Sequence, residues 1–188
     1  MPTIPKRIEE NIEFDKSKFI ELYLYIAKKS AGDERFGATK LDKIFYFCDF
    51  EAYRELGKPI TGADYKHQQM GALPNQYLPI RDEIVGQDIE IVEVNYHGKK
   101  QQRTVAKREP DLTKFTEDER SIVNRVIDRL WLYNATSVGK LSQEEIGYRL
   151  TEKDEIIPYT CAYFLATPLT QEQIELGTQV AKRHGLAQ

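Results

Sequence analysis

Between residues 39 and 57, apolar side chains fall on two faces of a single helix. Leu41, Ile44, Phe45, Cys48 and Ala52 recur at helical spacing, and Tyr46, Phe50 and Tyr53 form a second, aromatic row. Such a helix leaves only a strip for water, so it is expected between other elements, with Thr39 as its N-cap and Gly57 with Pro59 as its stop. Upstream, Phe19, Leu22, Tyr23 and Ile26 follow Ser17 at the same spacing, and Lys28, Lys29 and Gly32 close that helix. Pro59, Gly62 and Gly71 then break the chain, leaving a short extended piece around Tyr65 and little more. Pro74 is the expected start of a helix carrying Tyr77, Leu78, Arg81, Ile84 and Val85, which Gly86 ends.

The period changes once. Residues 88–96 and 101–108 read as two extended runs joined by a glycine-containing turn, a β-hairpin with one packed and one wet face. Thr116 and Glu119 then make a capping box ahead of the stripe Ile122, Val123, Val126, Ile127, Leu130 and Trp131. Further on, Ser142 is expected to cap a short helix and residues 156–159 to be extended. Thr170 and Gln173 open a last helix to His184 that has little apolar surface to attach it. The pattern predicts an α+β, mainly helical fold. A helix cluster surrounds the central helix, with one small hairpin at about 88–108, in a single domain of residues 15–188 behind an N-terminal arm of residues 1–14.

Composition narrows the function classes. At 188 residues the chain can bury a core of its own, and 40% hydrophobic with 30% charged residues describes an ordinary globular protein. A net charge of −3 gives no general pull toward nucleic acid or anionic membrane. No apolar run approaches the roughly 20 residues that span a bilayer, and the N-terminus is polar. Cys48 and Cys161 lie in apolar surroundings, as a pair of reduced core thiols would, so a cytoplasmic location is expected.

Candidate chemistry is sparse. His67, His97 and His184 are far apart among polar residues and read as surface side chains, not metal ligands. No phosphate loop, zinc-protease or serine-hydrolase motif is present, so neither a catalytic set nor a cofactor is expected. Asp42 and Asp49 lie seven residues apart on one face of the central helix, about 10 Å along its axis. They read as its solvated strip, or, with catalysis in view, as a carboxylate pair. In a third reading Tyr46, Asp49 and Tyr53 edge a groove for a partner segment, since tyrosines give rigid contact area at low entropic cost. Tyr65, Met70, Gly71, Pro74 and Gln76 suit an adaptable binding surface on the loop that follows, with core packing beneath the loop as the competing reading. The basic residues Lys99, Lys100, Arg103, Lys107 and Arg108 lack the interleaved aromatics or recognition helix of a nucleic-acid site, so they read as a soluble strand face.

The run Lys40, Leu41, Lys43, Ile44, Tyr46, Phe47, followed by Ile60, Thr61, Gly62 and Tyr65, resembles the Panacea (SocA-like) antitoxin-domain family. That family pairs a K-L-x-K-I/L-x-Y-F helix with an I-T-G-x-x-Y turn and a Gly-Pro segment. The likeness continues through residues 111–119 and 141–145 and into the run from Glu155, covering about residues 16–164. It implies an antitoxin that neutralises a cognate toxin by direct protein binding, with no chemistry of its own, in some relatives as an adaptor presenting the toxin to a protease. A DNA-binding regulator is the alternative, but the arm before Asp15 is too short for a helix-turn-helix domain. An enzyme using Asp42 and Asp49 comes last. Two departures stand out: Gly71, Ala72, Leu73, Pro74 replaces Gly-Pro, and Gln143 and Tyr148 stand where many members have His and Trp.

Overall fold

The computed structural model describes residues 12–164. Its axis is α2 (Ala38–Leu56), in which every residue from 40 to 53 is buried. α1 (Lys16–Lys29) packs along it, with the Phe19 and Phe45 rings stacked at 4.3 Å and Tyr23 tilted onto Phe45 at 5.8 Å. α4 (Glu117–Leu130) brings Ile122, Val123, Val126, Ile127 and Leu130 to the core. The remaining elements are α3 (Tyr77–Ile84), α5 (Ala135–Glu144), the single turn α6 (Ile146–Arg149), two 3-10 turns (Leu112–Lys114 and Tyr159–Tyr163) and two separate antiparallel hairpins. The fold is mainly helical α+β, as the periodicity predicts.

Several local readings hold because their causes are local. The pattern places α1 from about Ser17 without naming a cap, and the Asp15 side chain supplies it by accepting the Lys18 N–H. α4 opens with the full Thr116–Glu119 capping box, and Gly57 ends α2 in the left-handed region. β3 (Ile89–Tyr96) pairs with β4 (Lys99–Ala106), and the turn is only His97 and Gly98, both at positive φ as a type I′ turn requires.

Other readings need correction. Thr39 lies inside α2, and the N-cap is Gly37, two residues earlier, with the helix starting at Ala38. The 57–76 stretch holds a hairpin the pattern did not reveal: β1 (Tyr65–Gln68) pairs with β2 (Gly71–Pro74), so Pro74 ends a strand and does not start a helix. A proline suits a strand terminus, where no ladder N–H is needed. Asn75 N–H then bonds Asp64 O at 2.7 Å and closes the hairpin base, which delays α3 to Tyr77. Ser142 caps nothing; it is buried within α5, whose cap is the Asn134–Ser137 box. In the 156–159 stretch only Ile156 makes a strand-like bridge, to Lys66, while Tyr159 begins a 3-10 turn. The polar strip of α2 is not wet. Lys40, Asp42, Lys43, Asp49 and Glu51 are all buried, because α1, α4, α5, β2 and the second 3-10 turn surround the helix. Of the arm, residues 12–14 are described, with Ile12 and Phe14 against the core; the rest of it and the helix predicted at 170–184 lie outside the described residues.

Buried charges need partners. Lys40 donates to Asp33 Oδ2 at 2.5 Å, Trp131 O at 2.9 Å and Tyr133 O at 2.8 Å, so its three protons tie the α1–α2 loop to the end of α4. Glu21 accepts two bonds from Arg108 and one from Asp111 N–H, fixing the exit of β4 to α1.

Candidate partner-binding site

Asp49, midway along α2, is the point where distant parts of the chain meet. Its Oδ1 accepts the Thr61 N–H at 2.7 Å, and its Oδ2 accepts the hydroxyls of Thr61 at 2.5 Å and Tyr65 at 2.8 Å. The Tyr159 hydroxyl lies 3.3 Å from the same oxygen but donates over the shorter 2.7 Å path to Ala63 O. Burial pushes the Asp49 carboxyl up, against the pull of the Thr61 and Tyr65 hydrogen bonds, and burial beside that carboxylate holds the Tyr65 and Tyr159 hydroxyls well above their usual range. Around this polar centre Tyr46, Phe50, Tyr65 and Tyr159 form one aromatic cluster, with Tyr53 against Tyr159.

The expected contact residues therefore divide. Tyr46, Asp49, Tyr53 and Tyr65 are brought together, but in the interior, at 1% exposure or less. Gly71 is also buried: at φ +98° a Cβ there would lie 2.0 Å from Ser142 Oγ. Pro74 is buried in β2, and half-buried Gln76 accepts the Asp64 N–H at 3.2 Å. Met70, 52% exposed in the β1–β2 turn, is the one large apolar side chain of the set that faces water. That turn is clamped, since Gln143 donates to Gln69 O at 2.8 Å and Tyr148 to Gln68 O at 2.9 Å. Tyr148 also stacks on His67 at 3.6 Å.

Asp42 does not join Asp49. Its partner is Lys43, at 2.7 Å, and burial pushes its carboxyl up to about 6 against the pull of that ammonium. The two carboxylates are held by separate sets of partners, Lys43 for Asp42 and Thr61 with Tyr65 for Asp49. Among the described residues no group of His, Cys, Asp and Glu is placed to hold a metal ion, and no helix is long and apolar enough to cross a membrane.

Beside the buried cluster, a pocket of about 170 Å³ opens between α2, the α5–α6 junction and the second 3-10 turn. Tyr46, Phe47 and Phe50 give it aromatic walls, and Glu51, Arg54, Arg129 and Glu145 give it charge. Cys161, half-exposed with its thiol pushed up by burial, lines it as well, whereas Cys48 is fully enclosed.

The family model for the SocA-like antitoxin, Panacea domain, matches residues 41–147, more than half of the chain. The chain belongs to the Panacea family. No curated protein sequence matches it closely enough to name a relative. The Panacea motifs acquire a physical reason in this structure. The helix supplies the Asp49 acceptor and the I-T-G-x-x-Y turn supplies Thr61 and Tyr65, while Tyr159, beyond the matched residues, adds a third hydroxyl. Gln143, inside the matched residues, and Tyr148, just beyond them, both hold the β1–β2 turn with their side chains. Sequence reasoning missed Thr61, Tyr159, Lys40 and Glu145 as site residues. A charged Lys40 on a helix apolar on two faces was the available signal that its charge is buried and paired.

Proposed function

We propose that the protein is an antitoxin that neutralises a cognate toxin by binding it directly, through a rigid surface built around α2, without chemistry of its own. The observation that carries this reading is the Panacea match over residues 41–147. The interior fits it: the buried carboxylates Asp42 and Asp49 are engaged separately in holding the fold, which suits a preorganised binding module. Met70 at the clamped turn and the mouth of the pocket beside Tyr46 are the accessible parts of the expected contact region.

The test is co-expression with the short reading frame beside this gene. Growth rescue together with a co-purifying complex is the expected result. Rescue that depends on a cellular protease, with falling toxin levels, would favour the adaptor form instead. Rescue by a chemical modification of the toxin, with no complex, would refute direct binding.

A further inference from the structure

The pocket beside Tyr46 has the dimensions of one side chain. Pockets for drug-sized ligands and cofactors run to about 300–1,000 Å³, whereas a cavity of about 150 Å³ accepts one benzene ring. At about 170 Å³ the pocket has room for a ring and little else.

Its charges select the kind of ring. Glu51 is already engaged, 2.5 Å from Arg129 and 3.5 Å from Arg125, and the Arg129 guanidinium lies 5.1 Å over the Phe47 ring. Among the described residues Arg54 makes only a 3.7 Å contact with Glu55. Glu145 stands apart: its carboxylate has no ion pair and no hydrogen bond among the described residues, although it is half-buried. Its backbone ends α5 and begins α6, so its place in the wall is fixed by two helices. Burial raises this carboxyl, while Arg129 and Arg54 pull it back down. Two carboxylates and two guanidiniums leave the lining neutral, so a cationic guest would meet Arg54 and Arg129, and an anionic one Glu51 and Glu145. A neutral ring with one donor suits both the aromatic walls and the unused acceptor.

We propose that this pocket seats a tyrosine or tryptophan side chain of the toxin, the ring lying among Tyr46, Phe47 and Phe50 and its O–H or N–H donating to Glu145. Buried aromatic anchors of this kind carry much of the energy of protein interfaces. The occupant's identity as a toxin rests on the antitoxin reading above.

The pocket is tested on the full chain with p-cresol, the tyrosine side chain, followed by amide NMR shifts at Gly147 and Ala162. Saturable shifts are expected, with toluene weaker and propylguanidine inert. Glu145→Ala should weaken p-cresol about tenfold, and Glu145→Gln, which keeps an acceptor, by no more than about threefold. Glu145 makes no side-chain capping bond and burial disfavours its ionised form, so both variants should stay folded with a thermal midpoint no lower than wild type. No p-cresol binding, or equal binding in Glu145→Ala, overturns the proposal. With the toxin co-expressed, a complex indifferent to Glu145→Ala overturns the anchor and leaves the antitoxin reading standing. Absence of any complex overturns both that reading and the toxin as occupant, and the p-cresol titration then reports on the pocket alone.

Discussion

Tyr65 donates its hydroxyl to a carboxylate that has no access to water, and a hydrogen bond of that type contributes about 1.5–3 kcal/mol. Tyr65→Phe should lower the free energy of unfolding by about that amount in urea titration while leaving the ring packing intact. A stability unchanged by the loss of the hydroxyl would show the bond to be unimportant. Asp42 gives a pH signature. Its carboxyl titrates at about 6 in the folded chain, above its ordinary 3.8, so the native state holds a proton that the unfolded chain has released. The contribution is full below about pH 4 and is lost as pH rises through 6, a difference of about 3 kcal/mol. Burial raises Asp49 and Glu145 in the same sense, whereas Glu21, which burial would raise, is lowered by its Arg108 and Asp111 bonds, an opposite contribution that is lost only as pH falls below its ordinary 4.5. Unfolding midpoints measured from pH 5 to pH 7 should fall, and Asp42→Asn should flatten that slope. An unaltered slope in the variant would refute the assignment.

At the scale of elements, α2 depends on its neighbours on every side. Phe45→Ala removes a ring stacked on Phe19 and should cost about 3–5 kcal/mol in denaturant titration. Gly71→Ala should be worse tolerated than its size suggests, because the new methyl meets Ser142 Oγ and the left-handed backbone there disfavours it. The loss should appear as faster amide exchange in β1 and β2, while β3 and β4 keep their protection. What was legible in the sequence follows the reach of each cause. The Thr116–Glu119 box, the Gly57 stop and the 89–106 hairpin are set by residues a few positions apart, and all three are found where the pattern puts them. Of the β1–β2 hairpin only the extended piece at Tyr65 is legible; its strands are four residues each and lean on Gln143, Tyr148 and Glu155, so the pairing is not announced within its own stretch. Asp49 read as wet for the same reason: its covers, Thr61, Tyr65 and Tyr159, come from other segments.

For the whole molecule, a net charge of −3 and a neutral pocket argue for recognition by shape and aromatic contact. The toxin complex should keep its dissociation constant within about tenfold between 50 and 200 mM salt, where phosphate-led binding loses about 10³–10⁵. A steep salt dependence measured by calorimetry would point to a charged contact elsewhere, such as the Lys99 and Lys100 end of the hairpin. The bond from Tyr159 to Ala63 O spans 96 residues and closes the aromatic cluster over Asp49. On a ribosome adding about 5–20 residues each second, roughly 5–20 s separate the appearance of Ala63 from that of its partner. Throughout that interval the nascent chain carries its central helix without the last ring that covers it. On the proposed antitoxin reading, binding competence begins only once Tyr159 has been made, so the protective dose follows chains extended past that residue and not chains begun.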